Sequence, residues 1–115
     1  MDAEFSLQSE IKDNCLIIAT NGYVNNEGGE KISAEFDTHF ENGVHKLIIN
    51  LAGSKVVNSI GISFLIEIIE KLNEVGGKLY FTNLDPSIEK TLTIMGLFSF
   101  AGKAATVEEA IKSLS

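Results

Sequence analysis

Three short apolar runs, separated by stretches with helical spacing, constrain this chain more than any other feature. Residues 15–20, 47–51 and 79–84 are each five or six residues long, which suits strands better than helices. The unbroken apolar run at 47–51 predicts a strand covered on both faces, at the centre of a sheet. Residues 4–11 alternate loosely, with Phe5, Leu7 and Ile11 on one side. They read as a strand that the Lys12-Asp13-Asn14 turn folds back on residues 15–20 as a hairpin.

Between the runs the period changes. Ile32, Phe36 and Phe40 recur at i, i+4 and i+8, a helical face that Asn42-Gly43 closes. A second helix covers 62–75 and stops at Gly76-Gly77. Asp85-Pro86 starts a third, an acidic N-cap before proline at the first helical position, with Ile88, Leu92 and Met95 as its buried stripe and Gly96 as its end. Thr106-Val107-Glu108-Glu109 is a capping box before a last helix with Val107, Ala110, Ile111 and Leu114 on one face. Residues 25–29, Asn-Asn-Glu-Gly-Gly, read as a polar loop, and 97–101 as a short edge strand. Strands alternating with helices predict an α/β fold, a mixed sheet of four to five strands with about four helices, in one domain over residues 1–115.

At 115 residues and 44% apolar content the chain can bury one core without disulfides or metals. Its single cysteine, Cys15, excludes an internal disulfide and fits a reducing cytoplasm. Met1-Asp2-Ala3-Glu4 is acidic and lacks the basic and apolar regions of a secretory signal. No apolar run approaches the roughly 20 residues that span a membrane. Nine basic residues, all lysine, stand against sixteen acidic ones, for a net charge of -7. Without arginine there is no bidentate fork for phosphate or carboxylate, so nucleic acid and anionic membrane are poor partners and a basic or mixed protein surface a better one.

The chemistry concentrates at Val56-Val57-Asn58-Ser59-Ile60-Gly61, where the central strand hands over to the second helix. A hydroxyl there lies at a helix N-terminus, where negative phosphate oxygens are favoured. A regulatory phosphoserine and a plain helix cap both suit Ser59. At 100° per residue, Ser59, Ser63, Glu67, Glu70, Lys71 and Glu74 fall within about 120°, leaving an apolar arc of roughly 200°. That is wider than one buried face requires. Packing on both the sheet and a neighbouring helix accounts for it, and so does a docking patch on a Phe64–Ile68 edge. Ile60 is the one large apolar side chain projecting into the polar arc.

Read together, Lys46-Leu47-Ile48-Ile49-Asn50-Leu51, Val57-Asn58-Ser59-Ile60-Gly61, Gly76-Gly77-Lys78-Leu79, Met95-Gly96-Leu97-Phe98 and the closing Thr106–Ala110 helix resemble the STAS domains of bacterial anti-sigma-factor antagonists. The resemblance covers nearly the whole chain and is weakest over residues 21–29. It implies a partner switch: the antagonist binds an anti-sigma factor that is also a serine kinase, phosphorylation ends the binding, and a serine phosphatase restores it. Carried over by position, Ser59 is the phosphoacceptor and Gly61 the motif glycine. Asn58 replaces the usual aspartate and Ile60 a frequent second serine. Asn25 falls near another position where the family often has an acid. The expected partner surface is Asn58, Ser59, Ile60, Gly61, Ser63, Phe64 and Asn25, with neither metal nor cofactor.

Two other readings remain open at this stage. One is an accessory STAS subunit of a transport or signalling complex, in which Ser59 is only a cap. The other is a nucleotide or anion sensor using the same helix N-terminus. No constellation supports catalysis. Gly28-Gly29 lacks Walker spacing, no serine sits in a Gly-x-Ser-x-Gly elbow, and His39 and His45 lack metal-ligand company. Cys15 reads as a buried structural thiol, and the acidic runs as solvated helix faces.

Overall fold

The computed structural model describes residues 4–115; Met1, Asp2 and Ala3, and the reading made of them, lie outside it. In chain order the elements are β1 (Ser6–Lys12), β2 (Cys15–Asn21), α1 (Asn26–Phe40), β3 (Lys46–Gly53), α2 (Ser59–Glu74), β4 (Lys78–Thr82), α3 (Pro86–Ile94), a 3-10 turn (Leu97–Ser99), β5 (Gly102–Ala104) and α4 (Val107–Leu114). The strands lie side by side in sequence order, with β1 antiparallel to β2 and every later neighbour parallel. The hairpin turns on Asp13 and Asn14, both at positive φ (52° and 66°), the geometry that matches strand twist and that these two residue types tolerate.

β3 is the third of five strands, as its unbroken apolar run predicts. Leu47, Ile49 and Leu51 face the larger core with α1, α2 and α3. Ile48 points the other way, into a smaller cluster with Cys15, Ile17 and the Ala110–Leu114 face of α4. A side-chain period of two on a strand covered on both faces accounts for the apolar Leu47-Ile48-Ile49 stretch, and the polar Asn50 that follows on the Ile48 face is half-buried and accepts from Ala52 N–H at 2.9 Å. The Cys15 thiol is buried there, and that burial raises its pKa, with Asp13 adding to the effect and Lys46 opposing it.

The wide apolar arc of α2 is absorbed by packing. Leu65, Ile68, Ile69 and Leu72 are all buried between the sheet and neighbouring elements, so the expected exposed Phe64–Ile68 edge is corrected: Ile68 is core. Residues 26–29 are the first turn of α1 rather than a loop. The two glycines belong inside that helix because a Cβ on Gly28 would press on the Phe5 ring and the Tyr23 carbonyl, while one on Gly29 would collide with the Phe64 ring. Glycine here lets α1 and α2 approach closely.

Two further expectations fail near the C-terminus. Gly96, at φ 82°, ends α3 in a left-handed turn, and residues 97–99 then form a 3-10 turn instead of an edge strand. Leu97 goes into the core, and Phe98 meets Phe81 edge-on at 6.0 Å while Lys103 sits 5.0 Å over its other side. Consecutive inward side chains are incompatible with a strand's alternation. The edge strand is instead Gly102–Ala104. Met95, expected in the buried stripe, is the C-cap of α3 and half exposed.

Beneath the C-terminal ends of β2 and β3, the buried hydroxyls of Thr20 and Ser54 form a 2.7 Å hydrogen bond. Thr20→Val and Ser54→Ala should each cost about 1–2 kcal/mol of unfolding free energy. The double variant should lose less than the sum, as expected for two partners of one buried bond. Urea denaturation of the four proteins measures this, and strictly additive losses would show that the pair is not a coupled unit.

Candidate functional site

Above that hydroxyl pair, the β2–α1 and β3–α2 connections are tied together by backbone hydrogen bonds. Gly22 N–H donates to Gly53 O at 3.0 Å, Val24 N–H to Val56 O at 3.0 Å and Asn58 N–H to Val24 O at 3.2 Å, forming an isolated parallel bridge between Val24 and Val57. Gly61 lies beneath this clasp, and a Cβ there would collide with the Val24 carbonyl. The clasp brings two helix starts side by side, each capped by an asparagine. Asn25 Oδ1 accepts from Gly28 N–H at 3.1 Å, and Asn58 Oδ1 accepts from Gly61 N–H at 2.8 Å.

The capping assignment bears directly on Ser59. Asn58 takes the N-cap of α2 and Ser59 stands at the first helical position. Its side chain is exposed and enters no hydrogen bond among the described residues. No acid lies in the first turn of α2, so the positive end of the helix dipole is uncompensated by a side chain there. Lys55 is exposed on the same connection. Its carbonyl accepts from Ser87 Oγ at 3.2 Å, which places the start of α3 alongside. Asp85, the N-cap of α3, has its carboxyl held below the ordinary range by the Ser87 hydroxyl and then the Ser87 N–H, with a smaller pull from Lys55.

The remaining predicted site residues divide. Ile60 is 51% exposed beside Ser59, as its place on the polar arc implies. Ser63 is exposed and donates to Ile60 O at 2.6 Å. Asn25 is half-buried at the same end of the sheet. Gly61 is buried and can shape the surface without offering contact area, and Phe64 is half-buried over Gly29. Tyr23 and Val56, both substantially exposed, join this surface through the clasp and were missed in the sequence. Their only signals were an aromatic in the polar stretch after Gly22 and a valine pair beyond the strand. The result is one end of the sheet on which the exposed Tyr23, Val56 and Ile60 side chains lie on the same two connections as the Ser59 hydroxyl and the two capping asparagines.

Among the described residues, no general base is hydrogen-bonded to that hydroxyl. His39 lies at the other end of α1, 3.1 Å from Glu35 Oε2, and His45 precedes β3 at the opposite end of the sheet. Among the described residues, no group of three His, Cys, Asp or Glu side chains is placed to hold a metal. None of the described helices is long and apolar enough to cross a membrane. What the arrangement offers is an exposed, unbonded hydroxyl at a helix N-terminus with exposed apolar side chains on the same connections.

Residues 6–110 match the STAS domain. The chain belongs to the STAS domain family. It is 26% identical over 98 residues to BtrV of Bordetella bronchiseptica, a protein named for anti-sigma factor antagonism, covering 85% of this chain and 84% of that one. A Thermotoga maritima structure of the same naming superposes with a TM-score of 0.87 at 19% identity, over 94% of this chain and 93% of that one. The Bacillus cell fate determinant SpoIIAA is similar in its phosphorylated form (TM-score 0.76, 25% identity, 96% and 100% coverage). SpoIIAA in its unphosphorylated form gives a TM-score of 0.80 at 24% identity, with 94% and 95% coverage. The mixed STAS sheet of four to five strands expected from the sequence is therefore the fold, with five strands, and the curated relative is named an anti-sigma factor antagonist.

Because Asn58 is the cap, Asn58→Ala should cost about 1 kcal/mol of stability, whereas Ser59→Ala should stay within about 0.5 kcal/mol of the parent. Gly61→Ala should cost more, about 1–3 kcal/mol, through collision at the clasp. Thermal and urea unfolding of the three variants check the ranking, and a large loss on Ser59→Ala would return the capping role to Ser59.

Proposed function

We propose that this chain is an anti-sigma-factor antagonist in a partner-switching pathway, gated by phosphorylation of Ser59. The observation that carries the proposal is the Ser59 side chain, exposed and free of hydrogen bonds, with Asn58 relieving it of the capping role. In the unphosphorylated state Tyr23, Val56 and Ile60 pack on an anti-sigma factor that is also a serine kinase. Asn25, Asn58, Ser59 and Ser63 contribute polar contacts, with Gly61 and Phe64 shaping the surface from beneath. A serine phosphatase resets the cycle, and all three proteins operate in the cytoplasm.

The switch follows from where charge is placed. A phosphoserine adds about -1.5 to -2 charges. Within the domain those charges meet the N-terminus of α2, which favours them, and the fold persists. Similarity to SpoIIAA in both phosphorylated and unphosphorylated forms supports that expectation. Against a packed partner the same group must be desolvated, so binding falls while the domain stays folded. Asn58, in place of an aspartate, keeps the cap and removes a negative charge next to the incoming phosphate.

With candidate anti-sigma kinases and ATP, peptide mass spectrometry should place phosphate on Ser59, and Ser59→Ala should abolish it. In calorimetric titrations Ser59→Asp should weaken partner binding at least about tenfold, near 1.4 kcal/mol, while Ser59→Ala binds within about twofold of the parent. Phosphate confined to Ser63, or a Ser59→Asp protein that binds undiminished, would sink the mechanism.

A further inference from the structure

The far end of α2 opens on a second apolar surface. Ile66, Ile69 and Glu70 form one wall of a groove of about 280 Å³, and Met95, Leu97 and Phe100 form the other. Ile69 and Leu97 are its buried floor. Met95 and Phe100 are 51% and 69% exposed, and Ile94 next to them is 72% exposed. Single exposed apolar residues are ordinary, but a contiguous set around a groove marks a contact surface.

Charge and size indicate what fills it. Glu70 is the one ionisable side chain lining the groove; it is exposed and makes no ion pair among the described residues. Glu67 and Glu74 lie on the same exposed arc, about one turn to either side. A second copy of this chain, with net charge -7 and no arginine, would set like charges against one another, as would an anionic membrane. Small-molecule pockets run from about 300 to 1,000 Å³ and enclose most of their ligand. At about 280 Å³ and half open to solvent, this groove lies at the lower edge of that range and suits one or two side chains of a longer segment.

We propose that the groove receives an amphipathic helical segment of a partner protein. A large unbranched or aromatic apolar side chain of that segment seats between Ile66 and Phe100, and a lysine or arginine one turn away pairs with Glu70. The groove is distinct from the Ser59 surface: residues 59 and 70 are separated by about 16 Å along the α2 axis. Occupancy therefore does not depend on the state of Ser59.

The test uses the full chain, 15N-labelled, and a 15-residue amphipathic leucine/lysine peptide, with a matched peptide in which every lysine is glutamate. The lysine peptide should shift the amide resonances of Ile66, Ile69, Glu70, Met95 and Phe100. Phe100→Ser and Glu70→Lys, both at exposed positions, should each weaken it at least fivefold, whereas Glu10→Lys on β1, the opposite edge of the sheet, and Ser59→Asp should leave it within twofold. Equal binding of the two peptides, shifts centred elsewhere, or indifference to Glu70→Lys would overturn the proposal. So would groove resonances that move on dilution of the protein alone, which would identify a second copy as the occupant.

Discussion

The short clasp between the β2–α1 and β3–α2 connections is the constraint on which the Ser59 end of this molecule depends. Three backbone hydrogen bonds and the Val24–Val57 bridge hold two chain segments at a fixed spacing, and the buried Thr20–Ser54 bond locks the strand ends below them. Gly61 allows the start of α2 to slide under the Val24 carbonyl. Through this arrangement, rather than through any bound group, Tyr23 and Asn25 come to share a surface with Val56, Asn58 and Ile60. The positions of both helix N-termini follow from it.

Within that frame, the division of labour between adjacent residues matters most. A serine that caps a helix has its oxygen turned inward to backbone N–H groups and is a poor acceptor for modification. Here Asn58 makes that bond at 2.8 Å, and Ser59 is left in solvent at the first helical position. An amide at the cap makes this bond without placing a negative charge beside the neighbouring hydroxyl.

Much of the fold was legible because periodicity and capping chemistry are local. The apolar run of β3, the Asp85-Pro86 start and the Thr106 capping box each appear in the structure where those signals place them. The failures share a cause: residues whose local signal was overruled by a distant contact. Gly28 and Gly29 look like loop punctuation until Phe5 and Phe64 arrive against them. Leu97 and Phe98 look like strand until both turn inward toward the core and Phe81. At the site, Ile60 was visible from the helical angle alone. Tyr23 was not, because its nearness to Ser59 is created by a bridge between segments far apart in sequence, and Val56, three residues before Ser59, carried only the signal of an apolar extension of the strand.

The spatial order of the sheet, β1-β2-β3-β4-β5, repeats the order of the chain. Each strand after the first therefore docks on the one made just before it, and no gap has to be held open for a later strand to enter. Such a topology keeps loop-closure costs low at every step. The domain can be laid down progressively as it leaves the ribosome, with the three-residue β5 and α4 sealing the last edge and the second face only at the end.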